Sequence, residues 1–337
     1  MAERFLNVIL CLSWLGGCFP AQTPFRKSNN FKFTWIHPMT IISVLFLIIP
    51  AALMLDFSVN NLVNYSEASL GSGLSSLIAE VSCALYIIIG DAASRVIAMV
   101  TCQRLIDLIN TLGSLELERR NSNYRFCKYM HNSYMALIFA NVINCTQEVL
   151  RVYDLVGLWG PIQPTIKMSL LPPNDWIIRL AFWFHNFLIN VSMVFAISIT
   201  VLLGTHLISL YIGFTSELKA CWGQYQIENR DWMGDVDTFL EKFVTKFKKL
   251  KKAFESYEKI AGPLIFFIIL CAVLAFIPAV YSLSTVQVLR NLPGTIGCMF
   301  WVGFLAYFGN FMESKIKEIR EDLKNTVMVI PRRSHYK

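Results

Sequence analysis

Residues 38–56 have the sequence PMTIISVLFLIIPAALMLD and carry no charge before the final aspartate. A transmembrane helix needs about 20 mostly apolar residues to cross about 30 Å of hydrocarbon, so this stretch predicts a first membrane span. Five further stretches fit the same criterion, although Glu80, Asp91 and Arg95 interrupt the second. The six predicted spans are 38–56, 77–100, 130–152, 177–204, 262–284 and 295–312. The sequence therefore predicts an all-α, polytopic membrane protein.

The composition of the whole chain favours the same class. Of its 337 residues 55% are hydrophobic and only 16% are charged, with a mean hydropathy of +0.50, whereas about 25% of an ordinary globular chain is charged. These values exclude a disordered chain, a collagen-like repeat, a small disulfide-rich scaffold and a soluble Rossmann or barrel enzyme. The net charge of +7 falls between the apolar blocks, so we expect a lipid bilayer rather than a nucleic acid as the partner.

The distribution of basic residues predicts the orientation, because cytoplasmic loops are enriched in Lys and Arg. Of the 30 basic residues, 25 lie before the first span, between spans two and three, between four and five, or after the sixth. We therefore expect a membrane protein whose N-terminus and C-terminal tail are both cytoplasmic. The predicted organisation is a cytoplasmic segment at 1–37, a six-span domain at 38–312 and a cytoplasmic tail at 313–337.

The first 21 residues, MAERFLNVILCLSWLGGCFPA, have the charged start and apolar middle of a secretory signal. Cleavage near Ala21 would place Arg26, Lys27 and Lys32 outside, against the distribution of basic residues. We therefore expect an amphipathic cytoplasmic segment lying on the membrane surface, with a signal peptide as the alternative.

Asn64 begins the sequon Asn-Tyr-Ser in the first predicted outer loop, where a glycan can be added. Two other sequons begin at Asn144 and Asn190, inside predicted spans, and should stay unmodified. None of the nine cysteines lies well out in a predicted outer loop, so no structural disulfide is expected.

Residues 237–259, DTFLEKFVTKFKKLKKAFESYEK, form the most informative polar stretch. Apolar side chains recur there every three or four residues, which is one stripe of an amphipathic helix, and lysines cover the opposite face. Such a helix can lie on anionic lipid, can be a calmodulin target, or can be a cytosolic extension of the fifth span with its stripe buried against other helices. We favour the extension, because no strong breaker separates this stretch from Ile260. The fourth span also continues towards Lys219, and residues 313–324 extend the sixth, so a shared cytosolic helix bundle is expected.

Charged residues inside predicted spans usually face a bundle interior. Asp91 and Arg95 are four residues apart and can form a structural pair on one helix face. A second set of polar and aromatic side chains predicts an outward-facing ligand pocket; its members are Trp183, His185, Asn186, Asn190, Asn141, Asn144, Glu148 and Tyr281. The simpler interpretation of these amides and of His185 is hydrogen bonding between helices.

Enzyme signatures are missing from the sequence. It contains no HExxH, GxSxG, Walker A or Gly-rich dinucleotide motif. We therefore expect no catalytic residues, no cofactor and no metal site.

Three stretches resemble insect gustatory receptors, which belong to a seven-span chemoreceptor superfamily with the odorant receptors. They are LSWLGGCFPAQTPFRKSNNFKFTWIHPMTIIS at 12–43, FLEKFVTKFKKLKKAFESYEKIAGPLIFFIILCAVLAFIPAVYSL at 239–283 and ESKIKEIREDLKNTVMVIPRRSHYK at 313–337. The resemblance implies a tastant-gated cation channel, a homo- or heterotetramer with an outward-facing ligand pocket. The family's Thr-Tyr…Gln-Phe signature lies in a seventh span that this sequence lacks. We therefore expect an incomplete or truncated chain, with a non-conducting partner subunit as the alternative.

Two other classes remain open at this level. An odorant or G-protein-coupled chemoreceptor is one, although a G-protein-coupled receptor needs an outside N-terminus. A six-span transporter or scaffold protein is the other. The tastant itself is not predicted by any residue pattern.

Overall fold

A computed structural model describes residues 10–11, 13–14, 16–21, 32–68, 74–117, 170, 175–228, 236–283 and 288–329. Five long α-helices occupy most of these residues, and no strand occurs among them. They are α1 (Pro38–Ala68), α2 (Leu74–Leu117), α3 (Asp175–Glu228), α4 (Val236–Leu283) and α5 (Val288–Val329). The all-α prediction is confirmed for this part of the chain.

Three helices of the described part are long and apolar enough to cross a membrane. Their qualifying segments are Ala92–Leu115 in α2, Phe195–Cys221 in α3 and Phe243–Ile277 in α4, and α1 adds a shorter apolar run, Pro38–Leu53. The predicted spans one, two, four, five and six fall on α1 to α5 in order, whereas the third, at 130–152, lies outside the described residues.

Stripes of exposed apolar side chains run along α1 and α4. On α1 the stripe follows helical spacing through Ile41, Leu45, Ile48, Leu55 and Val59, and on α4 it contains Phe266, Ile269, Val273, Phe276 and Val280. Contiguous apolar surface of this kind is unusual on a soluble monomer but suits contact with lipid. The stripes therefore agree with a membrane protein.

The long helices extend well beyond their predicted spans without interruption. The fourth predicted span ends at 204, but α3 continues to Glu228. Likewise, α4 begins at Val236 and continues through Ile260 into the fifth span, and α5 continues from the sixth span to Val329. The helix bounds confirm the predicted continuity of these helices. The physical reason is that packing of an apolar face against neighbouring helices stabilises a helix.

The stripe of α4 packs against α3 instead of lying on a surface. Phe243 and Phe247 contact the ring of Phe214 at centroid distances of 5.7 and 6.0 Å, and Tyr211 contacts Phe247 and Phe254 at 6.5 and 6.4 Å. Phe243, Leu250 and Tyr257 of the apolar face are buried within the chain, whereas Phe247 is 36% exposed. This packing agrees with the extension, because it buries most of the apolar stripe that the lipid-bound or calmodulin-bound alternatives would use.

We call the part of α3, α4 and α5 that lies beyond the predicted spans the stalk; it comprises residues 205–228, 236–261 and 313–329. Ion pairs join its helices: Lys246 of α4 lies 2.6 Å from Glu217 of α3, and Lys219 of α3 lies 3.0 Å from Asp322 of α5. The three helices also pack against one another directly. The stalk is thus one packed unit.

The structure differs from the prediction for the N-terminal segment. Instead of lying on a membrane surface, the described residues among the first 21 pack into the helix bundle: Leu10, Cys18, Phe19 and Ala21 are almost completely buried in its hydrophobic core. Small residues permit this position, because Gly16, Gly17 and Cys18 leave room for backbone to enter between helices. Burial in protein is also the condition under which non-helical backbone is tolerated at membrane depth.

Candidate functional site

The guanidinium of Arg95 lies at the centre of a polar junction between the N-terminal segment, α1, α2 and α3. Arg95 is 1% exposed and is the largest fully buried side chain of the described residues. It donates hydrogen bonds to the carbonyl oxygen of Gly16 at 2.7 Å and to that of Leu188 in α3 at 3.2 Å. A buried ion is costly unless its charge is compensated, and carbonyl dipoles supply compensation here.

The segment that accepts the first of these bonds, residues 16–21, is called here the N-terminal turn. Its backbone is satisfied mostly by its own neighbours: the N–H groups of Cys18 and Phe19 donate to the Ser13 carbonyl at 2.7 and 3.2 Å. The Trp14 indole N–H donates to the carbonyl of Ala21 at 2.9 Å. The turn therefore keeps a hydrogen-bonded shape of its own inside the bundle.

Gly17 permits the close approach of this turn to α1 and α2. Its φ of 72° lies in the left-handed region that favours glycine. A Cβ atom at this position would lie 3.0 Å from the Phe46 ring and 3.3 Å from an Arg95 guanidinium nitrogen. Both the backbone conformation and the available space therefore require glycine here.

The α3 side of the junction contains a hydroxyl and a carbonyl group, and a thiol of the N-terminal turn lies beside them. Ser192 is fully buried, and its hydroxyl donates to the carbonyl of Leu188 at 2.8 Å. The Cys18 thiol lies 3.4 Å from the same hydroxyl. The Leu188 carbonyl thus receives hydrogen bonds from both Arg95 and Ser192, which ties the N-terminal turn, α2 and α3 together at one level.

The α1 side is built from Ser43 and Phe46. Ser43 is fully buried and donates to the carbonyl of Met39 at 2.8 Å, so its hydroxyl is satisfied within α1. The Phe46 ring meets the Phe184 ring of α3 edge-on, with centroids 5.6 Å apart. Since Phe184 precedes Leu188 by one helical turn, the aromatic pair lies next to the Arg95 junction.

The predicted pair of Asp91 and Arg95 lies on α2, with the two positions one turn apart. The structure describes the Arg95 side chain and its two carbonyl acceptors, but the side chain of Asp91 is outside the described part. The pairing therefore stays a prediction. What sequence reasoning missed is the role of the N-terminal segment as a partner of Arg95.

The predicted ligand pocket is only partly covered by the described residues. Positions 183, 185, 186 and 190 lie in the first half of α3, and position 281 lies near the end of α4; their side chains are outside the described part. By helical register, positions 183, 186 and 190 share a face opposite to that of 188 and 192. The members Asn141, Asn144 and Glu148 also lie outside the described residues, so the assembled pocket stays a prediction.

Asn64 lies on the helical backbone of α1, because α1 continues beyond the predicted span to Ala68. No disulfide joins the cysteines of the described part, which are Cys11, Cys18, Cys102, Cys221 and Cys271. Within the described helices no three His, Cys, Asp or Glu side chains come together as a ligand set for a metal ion.

No protein-family model matches the chain, and no curated protein matches it. The function is therefore inferred from the sequence and from the arrangement of its own residues.

One signal in the sequence could have pointed to the junction. The pair Gly16-Gly17 followed by Cys-Phe-Pro interrupts an apolar run and predicts a tight turn. An apolar segment broken by such a turn is too short to span a bilayer, and either a membrane interface or burial in protein suits it. The identity of its partner, an arginine 79 residues away, is not encoded in any local pattern.

Proposed function

We propose that this chain is a subunit of a tastant-gated, nonselective cation channel of the insect gustatory receptor type, acting in taste perception at the plasma membrane. The observation that carries the proposal is the unbroken passage of α3, α4 and α5 from apolar segments into the packed stalk. Such helices connect a ligand site at membrane depth mechanically with the opposite end of the bundle.

In this proposal the chain crosses the membrane six times, with its N-terminus, stalk and tail in the cytoplasm. The stalk lysines support this orientation, because Lys248, Lys249, Lys251 and Lys252 are exposed on α4 and basic segments favour the cytoplasmic side. The stalk is also the proposed meeting place of subunits in a homo- or heterotetramer. Asn64 is the proposed glycosylation site on the outer side.

The proposed ligand site is an outward-facing pocket around the first half of α3, lined by Trp183, His185, Asn186 and Asn190, with Tyr281 of α4 and the residues Asn141, Asn144 and Glu148. Aromatic faces and amide groups suit small polar organic molecules, because they combine stacking surfaces with hydrogen-bond donors and acceptors. The buried charge of Arg95 supports a functional rather than a lipid-facing role for this region, since intramembrane ionisable residues commonly mark functional sites.

Electrophysiology tests the channel proposal directly. The chain, alone and together with candidate partner subunits, is expressed in oocytes and challenged with sugars, bitter compounds and carbon dioxide. We expect a ligand-evoked cation current that does not require a G-protein. Solute uptake without conductance would instead indicate a transporter, and a response abolished by G-protein inhibition would indicate a G-protein-coupled receptor.

The pocket is tested in the same assay. Replacing Asn186 by Ala should raise the tastant concentration for half-maximal current by about tenfold, the effect of losing about 1.4 kcal/mol of binding free energy. The matched control is Ser216→Ala, which changes an exposed hydroxyl in the stalk part of the same helix. Equal responses of the two variants would exclude Asn186 from the site.

A further inference from the structure

The chain makes a tight turn at residues 34–37, immediately before α1, and we call these four residues the entry turn. The His37 N–H donates to the Thr34 carbonyl at 3.2 Å, which is the hydrogen bond of a β-turn, so Trp35 and Ile36 occupy its two central positions. Gly, Pro, Asn, Asp and Ser dominate such turns. Two large apolar side chains at the tip of a turn therefore need a physical reason.

Both side chains at the tip face away from the protein. Trp35 is 61% exposed, and Ile36 is 89% exposed, the highest fraction among the exposed large apolar side chains of the described residues. The exposed apolar stripe of α1 begins only five residues later, at Ile41, and continues through Leu45 and Ile48. The tip is therefore continuous along the chain with a surface that suits contact with lipid.

Hydrogen bonds to the first turn of α1 fix the conformation of the entry turn. The Thr40 hydroxyl donates to the Thr34 carbonyl at 2.9 Å, and the Met39 N–H donates to His37 Nδ1 at 3.2 Å. The second bond caps the helix, because it satisfies an N–H group that has no partner within the helix. Pro38 suits the first helical position, since it lacks an N–H group. The start of α1 thus presents the tip at a defined place.

The Phe33 ring connects the tip with the interior of the bundle. It meets the Trp35 ring edge-on, with centroids 5.1 Å apart, and it packs against the buried hydrophobic core. Trp35 is therefore supported from the protein side while most of its surface faces outward. Lys32, which directly precedes this aromatic pair along the chain, is exposed and adds a positive charge.

The length of the apolar stretch of α1 places the entry turn at a membrane boundary. Residues 38–55 form a helix about 27 Å long at 1.5 Å per residue, slightly shorter than the hydrocarbon layer of about 30 Å. The entry turn therefore falls where hydrocarbon meets headgroups. Trp is enriched at this boundary, and Lys side chains near helix ends reach the headgroups, so Trp35 and Lys32 both fit a lipid surface.

We propose that the entry turn is a membrane-interface anchor, in which Trp35 and Ile36 insert among the headgroups and upper acyl chains at the start of α1 and Lys32 binds anionic headgroups. In the orientation predicted from the basic residues this surface is the cytoplasmic leaflet, which contains the anionic lipids. The anchor requires α1 to lie in the membrane, but it is independent of channel activity.

Photo-crosslinking of the full-length chain tests the anchor. Benzoylphenylalanine replaces Ile36, Leu45 or Val244, one position in each variant, and the proteins are reconstituted into vesicles of mixed phosphatidylcholine and phosphatidylserine. After irradiation, lipid adducts are identified by mass spectrometry of the labelled peptides. Leu45 reports on the insertion of α1. Val244 is the matched control, because it is an exposed apolar side chain of the stalk.

We expect lipid adducts at positions 36 and 45 that are at least fivefold more abundant than at position 244. Adducts at 45 without adducts at 36 overturn the anchor and leave the insertion of α1 intact. Cross-links from position 36 to protein in place of lipid overturn it in favour of a protein partner. Absence of lipid adducts at both positions overturns the anchor together with the predicted first span.

Tryptophan fluorescence provides a second measurement that leaves the turn without a crosslinker. The emission of Trp35 is obtained as the difference between wild type and Trp35→Phe, a variant that keeps an aromatic ring beside Phe33. Lipids brominated near the headgroup should quench this emission at least twofold more than lipids brominated near the chain ends. No quenching by either lipid places Trp35 in water and overturns the anchor, and stronger quenching by the chain-end bromines overturns its interfacial depth.

The headgroups of the lipid adducts at position 36 measure the contribution of Lys32. We expect phosphatidylserine to be at least twofold enriched in these adducts over its share of the vesicle lipid, because basic residues near a membrane surface attract anionic lipid. Lys32→Gln should lower this enrichment. An enrichment that Lys32→Gln leaves unchanged overturns the role of Lys32, and adducts without any enrichment overturn the preference for anionic lipid.

Discussion

At the scale of single residues, a close approach of three helices lies where α3, α4 and α5 meet. Gly204 of α3 faces the Tyr257 ring of α4 and the Phe308 ring of α5. The Tyr257 hydroxyl donates to the carbonyl of Thr200 at 2.9 Å, one turn before Gly204 on the same helix. The absence of a side chain at position 204 is therefore what permits the three helices to approach.

Gly204→Ala should destabilise the protein. Its Cβ would lie 2.6 Å from the Tyr257 hydroxyl oxygen and 3.0 Å from the Phe308 ring, and overpacking of this kind typically costs about 1–3 kcal/mol. Thermal unfolding of the purified protein in detergent is the measurement. Gly223→Ala is the matched control, because nothing lies within 4 Å of that Cβ; equal melting temperatures for the two variants would contradict the packing argument.

Tyr257→Phe provides a second check on the packing around Gly204. It removes the hydrogen bond to Thr200 but also removes the atom nearest to the new methyl group. The combined variant Gly204→Ala/Tyr257→Phe should therefore lose less stability than the sum of the single variants, since residues in contact are coupled. Strict additivity would show that the hydroxyl is not the obstacle.

The tail of α5 gives a pH-dependent prediction. The Lys317 ammonium, which lies 2.8 Å from the Glu313 carboxylate, holds the pKa of that carboxyl below its ordinary value through a side-chain hydrogen bond and its positive charge. A carboxyl pKa that is lowered by folding adds stability above its unfolded pKa, and this contribution is lost as the pH falls through the folded pKa. Lys317→Met should return the Glu313 pKa to its ordinary value, measured by NMR titration of labelled glutamate; an unchanged pKa would show that the pair does not form in solution.

At the scale of helices, the packing of α4 on α3 determines what the basic stretch at 237–259 does. Helical periodicity identified its apolar stripe correctly, but periodicity is the same for a helix on lipid, in a partner's groove or against a neighbouring helix. Contacts of Phe243, Phe247 and Phe254 with Tyr211 and Phe214 distinguish these cases. The stripe stabilises the stalk.

Phe243→Ala should therefore destabilise the stalk by about 3 kcal/mol, the typical loss when a buried Phe side chain is removed. Val244→Ala is the matched control, because Val244 is the next residue of the same helix and is half exposed. Chemical unfolding followed by circular dichroism in detergent measures both variants. If the two variants lose similar amounts of unfolding free energy, position 243 is not buried in the working protein.

The two interhelical ion pairs should differ in strength. Lys246 is mostly buried in its pair with Glu217, whereas both partners of the Lys219–Asp322 pair are about half exposed. Exposed ion pairs typically have coupling energies of about 0.2–1 kcal/mol in double-mutant cycles. We therefore expect a coupling energy of about 1 kcal/mol or more for Lys246–Glu217 and a smaller one for Lys219–Asp322. A double-mutant cycle with Lys246→Met and Glu217→Gln, repeated with Lys219→Met and Asp322→Asn, makes the comparison; a larger coupling for the second pair would contradict the burial argument.

At the scale of the whole molecule, the orientation in the membrane governs every functional proposal. The prediction places Asn64 outside and the N-terminus, stalk and tail inside. We expect enzymatic deglycosylation to lower the apparent mass of the wild type but not of Asn64→Gln. Epitopes placed at the N-terminus and after residue 233 should be stained only in permeabilised cells, and staining of either one in intact cells would reverse the topology.

The sequence by itself determined that the chain is helical and apolar, because both properties follow from the composition and spacing of neighbouring residues. It also indicated the continuity of α3 and α5 past their predicted spans, since no proline lies in α3 or in the part of α5 that follows the sixth span. The helix α4 continues although Gly262 and Pro263 lie within it. The limits of individual spans were less predictable: the qualifying segments of α2, α3 and α4 extend beyond the predicted limits. Hydropathy does not distinguish an apolar side chain that faces lipid from one that packs on another helix.

Only the tertiary structure decided the position of the N-terminal segment and the partners of Arg95. The sequence pattern placed that segment on a membrane surface, because its apolar residues suit lipid and protein equally well. The hydrogen bond from Arg95 to Gly16 joins residues 79 positions apart, and such a contact depends on how helices pack rather than on any local preference. Buried charges are stabilised by partners that the fold brings together, and for that reason the junction emerges only in three dimensions.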